Sequence, residues 1–443
     1  MLSVPLSETK RALLRIALPA VAGFLGLIAY ELVNIFWIAR LGTDSLAGVA
    51  AACHWLWMLE SIMMATTVGC STLVAQSVGA GDAASGHDAV RESAHLSLAV
   101  SAALAVAGWL AAPGILGWMG LSPTAHDAGV SYLRILLVLL PVLHLILLSD
   151  GVFNAHGDTR TVVLLMTAAL LVNAVLDPIL IFGWFGLPAF GPAGAALATA
   201  CGWLVGLSLR AAFLRRRGYI PPLAAFLTPG AKFFSRIFQI GAPTAASRII
   251  WSSVYPLLTT LITRFGMSPL AGMTIGHRLE SFAYFTCSGF SIATAAIIGQ
   301  RMGRRDFAGA KDAAFEARTL ISWILIPMSL VFILAPEPLL SLLSKDPETV
   351  AHGAAYLRRI GLLETFLGWE LVFEGAFSGV GNTRPYMWIS VPLTLGRYPA
   401  AYLCVAVLGF GINSIWWCVA VSTLLKGVLM SWAFRRTQGR ALV

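Results

Sequence analysis

Charge is what this 443-residue sequence has least of. Only 12% of its residues are Asp, Glu, Lys or Arg, against roughly a quarter in an ordinary soluble domain. That scarcity excludes a typical soluble enzyme. A disordered chain is excluded as well, because disorder needs few apolar residues and 58% here are hydrophobic. Cysteines are few, and the six of them (Cys53, Cys70, Cys201, Cys287, Cys404 and Cys418) sit in apolar stretches with no CxxC. They read as small apolar residues at helix interfaces, not as a framework. No HExxH, GxSxG, Walker loop or DxxxD pair is found, so enzyme classes fare badly and this chain hydrolyses no ATP. Energy for any work must come from an ion gradient or a partner. What remains is long, continuous apolar sequence with a mean hydropathy of +0.80. Continuity argues against an outer-membrane barrel, whose strands alternate. The expected class is an all-α polytopic membrane protein.

A spanning helix needs about 20 apolar residues. Twelve segments qualify: 13–39, 46–76, 94–118, 129–150, 161–184, 191–214, 237–263, 270–299, 315–336, 353–379, 386–408 and 412–434. Turn chemistry separates them, as in LGTDS, HGDTR, SKDPET and GVGNTR. Lys10, Arg11 and Arg15 lead into the first segment, and no small-residue cleavage site ends it early, so it is expected to remain as a helix. The connection 215–236 holds three prolines and reads as a linker between an N-lobe, 1–214, and a C-lobe, 237–443. Most basic residues, including Arg160, Arg210, Arg215, Arg216, Arg217, Lys232, Arg236, Arg301, Arg304, Arg305, Lys426, Arg435 and Arg436, are assigned to one set of alternate loops. By the positive-inside rule that set is cytoplasmic, with both termini. The net charge of +9 is then topological, and no nucleic-acid partner is expected.

The two halves repeat. At an offset of 224 (243 − 19), Pro19 meets Pro243, Arg40 meets Arg264, Gln76 meets Gln300 and Asp82 meets Asp306. Tyr132-Leu133-Arg134 meets Tyr356-Leu357-Arg358, and Gly157-Asp158-Thr159-Arg160 meets Gly381-Asn382-Thr383-Arg384. An even number of helices per repeat makes both halves enter from one side. Their pseudo-two-fold axis is therefore expected along the membrane normal, with a cleft between lobes that rock against each other. That architecture points to a transporter.

Charges inside the bilayer are costly and mark pathways by default. Glu31, Glu60, Asp177, Glu280, Glu364, Glu370 and Glu374 fall in apolar segments, with Arg248, Arg278 and Arg397 and the titratable His54, His144 and His277. Asp177 follows Asn173 by one helical turn. Pro178 leaves the Ala174 carbonyl without its helical donor, so a bend is expected beside the carboxylate. A carboxylate, an amide oxygen and a loosened backbone suit a proton or small cation. The alternative is a helix-end aspartate that caps or pairs with Arg397. Glu31 and Asn34 share a face of the first segment, as cavity lining or as a salt bridge and an interhelical hydrogen bond. Glu370 and Glu374 share a face, and Arg397 is expected to neutralise one of them. Glu280 follows His277 and Arg278 as either an interface or a substrate contact.

The runs VNIFWIARLGTDSLAGVA, VAQSVGAGD, IGQRMGRRD, HGDTR, GVGNTR and NAVLDPILIFGWFG…FGPAGAALATA resemble the MATE (multidrug and toxic compound extrusion) transporters, closest to the DinF-like branch. The resemblance covers nearly the whole chain. It implies twelve helices in two six-helix lobes, and export of amphipathic organic cations in exchange for protons or sodium ions. It implies no cofactor, a monomer in lipid, and the bacterial inner membrane. Asp177 and Asn173 match the family's ion-coupling aspartate and its neighbour, and Thr199 is a further match. Where the family has an aspartate in its first helix this chain has Asn34, so a sodium site at Asp177, Asn173 and Asn34 lacks its second carboxylate unless Glu31 supplies it. Arg248 stands in the seventh helix, where the NorM branch has a glutamate. With Glu280, Glu370, Glu374 and Arg397 it forms the candidate substrate-cavity set. Proton coupling is therefore expected over sodium. The alternatives are a flippase for a lipid-linked or anionic substrate of the same superfamily, and a non-transporting scaffold or channel.

Overall fold

The computed structural model describes residues 7–437, and both chain termini lie outside them. Every regular element among the described residues is a helix. In chain order they are α1 (Glu8–Ala39), α2 (Thr43–Ala80), α3 (Ala83–Trp118), α4 (Pro123–Val138), α5 (Leu140–Ala155), α6 (Thr159–Phe182), α7 (Pro192–Arg217) and α8 (Phe234–Ile262). They continue as α9 (Met267–Gly303), α10 (Phe307–Leu334), α11 (Pro336–Ser341), α12 (Pro347–Val380), α13 (Arg384–Leu395), α14 (Arg397–Tyr402) and α15 (Asn413–Arg436).

Eight of these helices are long and apolar enough to cross a bilayer, and α4 with α5 makes a ninth span bent by 58°. Pro141 at the start of α5 explains the bend, since its nitrogen offers no helical donor. The three further predicted segments are α8, α12 and the α13–α14 pair; α12 buries Glu364, Glu370 and Glu374, and α14 buries Arg397. The α13–α14 span breaks at Gly396 after Pro392, and α14 runs on into a π-helical stretch, Leu403–Val407. Aspartates start several helices: Asp82, Asp158, Asp306 and Asp346 accept the backbone N–H of Ser85, Thr161, Gly309 and Thr349. The Ser85 amide and hydroxyl hold the Asp82 carboxyl below the usual carboxylate range.

Contacts divide the chain into two compact units. One is Ala22–Ala242; the other joins Met1–Val21 to Pro243–Val443. In the first, Ile38, Leu56, Met63, Leu136 and Leu140 form one core, and Val74, Leu148, Phe153, Ile237 and Ile240 another. In the second, Leu13, Ile16 and Ala17 pack with Phe290, Leu325 and Phe373, while Val254, Leu258, Tyr356 and Trp416 form a further core. The opening turns of α1 are thus buried among helices of the second repeat, and those of α8 among helices of the first.

Two glutamates 224 residues apart (316 − 92) hold these exchanged starts. Glu92 of α3 is 1% exposed and accepts the backbone N–H groups of Lys232 at 3.1 Å and Phe233 at 2.6 Å, just ahead of α8. Glu316 of α10 accepts the Ser7 hydroxyl at 2.7 Å, just ahead of α1. A carboxylate at a helix start also meets the positive end of its dipole. Farther along α8, Gly241 lies so close to α2 that an added Cβ would stand 1.6 Å from the Ala65 carbonyl oxygen.

Gly241→Ala is therefore expected to cost about 1–3 kcal/mol through overpacking against backbone, read as earlier melting of the detergent-solubilised protein. Gly26→Ala, where a Cβ meets nothing within 4 Å, should melt no earlier than wild type. Equal melting of the two variants would contradict the close crossing of α8 and α2.

Candidate ion-coupling site

In the Ala22–Ala242 unit, α6 carries Asn173 and Asp177 one turn apart, 3% and 0% exposed. The helix is continuous from Thr159 to Phe182 through Pro178 and ends at Gly183 in the left-handed conformation. The Asn173 amide ties three helices together. Its Oδ1 accepts the Tyr30 hydroxyl of α1 at 2.6 Å, and its Nδ2 donates to Thr199 Oγ1 of α7 at 3.0 Å. Both ends of the amide are thereby assigned.

Asp177 is different. Both carboxylate oxygens are buried and have no hydrogen-bond partner among the described residues, and Asn34 Oδ1 shares that condition. Asn34 stands one turn after Tyr30 on α1, as Asp177 stands one turn after Asn173 on α6. Tyr30 lies within the electrostatic reach of Asp177. A buried acceptor without a donor is unfavourable, and a proton or a small cation removes that cost. Glu31 acts electrostatically on Tyr30 and on Cys53 and Glu60 of α2. No group of three or more His, Cys, Asp or Glu residues among the described residues is arranged to hold a metal ion.

The other unit buries more charge. Lys426 Nζ of α15 donates to Glu370 Oε1 of α12 at 2.6 Å, with the side chains 1% and 6% exposed. Arg248 Nη2 of α8 meets Glu374 Oε1 at 3.3 Å. Arg397 donates from Nε to Ser422 Oγ at 2.6 Å and from Nη2 to Thr423 Oγ1 at 3.0 Å. Glu280 of α9 accepts the Tyr356 hydroxyl at 2.5 Å and faces His277 Nδ1 at 3.1 Å. Glu364 is 1% exposed, and its Oε1 has no partner among the described residues. Arg278 is exposed.

Two expectations are corrected here. Arg397 forms no ion pair with Glu370 or Glu374; Lys426 and Arg248 take those carboxylates, and Arg397 turns to hydroxyls of α15. Lys426 is not a loop residue but a buried one, ten positions before the end of its helix.

A family model described as MatE matches the chain twice, over residues 19–179 and 243–403. The chain belongs to the MatE family. The two MatE matches start 224 apart (243 − 19) and end 224 apart (403 − 179), the offset at which the halves repeat. Among curated MatE-like relatives, "Probable multidrug resistance protein NorM" of Thermotoga maritima is 23% identical over 95% of this chain and 91% of its own length. "FAD transporter" of Shewanella oneidensis is 27% identical over 97% and 94%. A MOP superfamily transporter from Pyrococcus furiosus superposes with a TM-score of 0.89 at 22% identity, covering 98% of this chain and 96% of its own. A MATE structure in the bent conformation gives 0.91 at 21% identity, with coverages of 98% and 96%. The MatE fold, twelve helices in two lobes, is thus this chain's fold, and the protein is a multi-pass membrane transporter.

Within it, Asp177, Asn173 and Thr199 come together with Tyr30, which the sequence reading missed although Tyr30 and Asn34 share a helical face. Glu370, Glu374, Arg248 and Lys426 form paired charges on α12, α8 and α15. Lys426→Met should cost about 3–5 kcal/mol by leaving Glu370 buried and alone, and Lys426→Met with Glu370→Met should be more stable than either single change. Thermal melting of the three variants in one detergent checks the order. A double variant less stable than both singles would remove the pairing as an explanation.

Proposed function

We propose that this MatE protein, of the DinF-like branch, exports amphipathic organic cations across the bacterial inner membrane in exchange for protons that load Asp177. The observation that carries the reading is the pair of donorless Asp177 oxygens, buried beside an amide already committed to Tyr30 and Thr199. When the carboxylate is ionised, the site holds an uncompensated charge. Protonation removes the charge and turns one acceptor into a donor. The ionised carboxylate makes no hydrogen bond with α1 or α7; the proton supplies the donor that such a bond needs, and this is how occupancy reaches other helices. Asn34 contributes a neutral oxygen, which favours a proton over sodium, because a sodium shell wants several hard oxygens and gains from a second charge. Sequence relatives named as multidrug resistance proteins support multidrug efflux.

The same reading makes the protein a monomer that works without a cofactor or nucleic acid, with both termini in the cytoplasm. Its lobes are 1–214 and 237–443, and the linker 215–236 is held to α3 by the Glu92 contacts. A lipid-linked or anionic cargo is the second reading, favoured by the relative named as an FAD transporter. Set against it are Arg248 and Lys426, which are committed to Glu374 and Glu370. A counterflow screen with purified protein, using cationic dyes and flavin nucleotides, separates the two.

Asp177→Asn is expected to abolish coupled export at normal protein level, a loss of at least tenfold in initial rate. Export by this variant at the wild-type rate would end the proposal. For the ion, proteoliposomes are given a pure proton gradient and then a pure sodium gradient, with the membrane potential clamped. Proton-driven export is expected. Export driven by sodium alone would overturn the assignment.

A further inference from the structure

The repeat allows one residue-by-residue comparison of the two units. Position 173 corresponds to 397 (397 − 173 = 224). Asn173 and Arg397 are both 3% exposed. Each donates a 3.0 Å hydrogen bond to a threonine hydroxyl 26 residues further on, Thr199 in α7 and Thr423 in α15. The scaffold of the contact is repeated, but the charge is not. One turn after Asn173 stands Asp177, and the corresponding residue is Ala401; Asn34 corresponds to Leu258. At these positions the second repeat lacks the acceptor oxygens of the first and carries a guanidinium instead.

That guanidinium is not solvated, and no carboxylate is hydrogen-bonded to it. Its Nε and Nη2 bind Ser422 and Thr423, and Nη1 is buried with no partner among the described residues. Its charge is felt by Glu280 of α9, Tyr255 of α8 and Lys426 of α15. Glu280 is in turn held by Tyr356 and His277, and Lys426 by Glu370. Arginine stays protonated at any physiological pH. The positive charge at this position is therefore permanent.

We infer that Arg397 is a tethered cation, supplying to the second repeat as a fixed side chain the charge that the first repeat takes up from solution. The inference rests on the reading of Asp177 as the coupling carboxylate. Its consequence is a transporter in which only one of two repeated sites exchanges an ion. One proton is coupled to each substrate, and the second repeat stays in the cation-loaded condition throughout the cycle.

The test counts protons taken up per substrate exported, with a pH-sensitive dye and labelled substrate in proteoliposomes. Wild type and Arg397→Lys are expected to give one. Arg397→Gln is expected to give two, with its export maximum moved to lower pH, because Glu280, the carboxylate on which the Arg397 charge acts, then takes a solution proton in its place. Ala401→Asp, which keeps Arg397 and so does not depend on the fate of the glutamine variant, should remain at one, its new carboxylate being neutralised by the guanidinium. Two protons in wild type, a wild-type count and pH profile in Arg397→Gln, or a second proton in Ala401→Asp would each overturn the proposal. A purely structural arginine would change protein yield in both Arg397 variants without changing the count. Asp177→Asn in the same assay keeps the outcomes distinct: retained coupling there removes the Asp177 reading itself, whatever the Arg397 variants do.

Discussion

The bilayer core offers no water to a polar group, and the rest of this structure follows from that. Backbone N–H and C=O groups must be satisfied within the segment, which is why the spans are helices and why breaks fall at Pro141 and Gly396. The same constraint sorts the side chains. Arg210 is matched by Asp150 at 2.7 Å, Lys426 by Glu370 and Arg248 by Glu374. Against that background of compensation Asp177 is conspicuous, because its carboxylate is as deeply buried as any of these and has no counterion. A group left in that condition responds to the arrival of a proton more than a compensated pair can.

Much of this was legible before any coordinates. Apolar runs of spanning length locate the helices, because hydropathy reports the solvent that each segment must occupy, but α3 and α10 begin 11 and 8 residues before the runs that mark them (94 − 83 and 315 − 307). Asp177 and Asn173 stand out by type and spacing, Thr199 is implied by the family resemblance alone, and the structure joins Asn173 to Thr199 by a hydrogen bond. Pairings across helices were not legible. The sequence places Lys426 near a run of basic residues, and only the packing of α15 on α12 brings it to Glu370. Arg397 was expected to meet a carboxylate because opposite charges attract, yet a guanidinium also donates to hydroxyls, and Ser422 and Thr423 take its Nε and Nη2. Tyr30 was missed because a tyrosine in an apolar helix has an ordinary packing role. Its hydroxyl acquires meaning only from the amide it meets.

Internal repetition usually implies duplicated function. Here the scaffold has been duplicated while the chemistry has diverged. Tyr132 and Tyr356 occupy equivalent positions, yet the first faces the thiol of Cys53 at 4.0 Å and the second a carboxylate at 2.5 Å. Pro19 and Pro243, Asp82 and Asp306, and Glu92 and Glu316 retain their shared type because each serves helix geometry. Interior positions that differ include Asn173 and Arg397, and Asp177 and Ala401, where one changed charge alters what the site can hold.

The exchange of helix starts has a consequence for synthesis. Residues 8–21 leave the ribosome well ahead of their packing partners, because the helices that bury Leu13, Ile16 and Ala17 begin with α9 at Met267. At translation rates of roughly 5–20 residues per second, about 12–50 seconds pass before the first of those partners is made. During that interval the opening turns of α1 belong to a unit that does not yet exist, while the turns that follow already have neighbours in α2. The second unit therefore closes late and around a segment made long before the rest of it. Its assembly is a long-range event of high contact order, completed only when the last helices have been inserted.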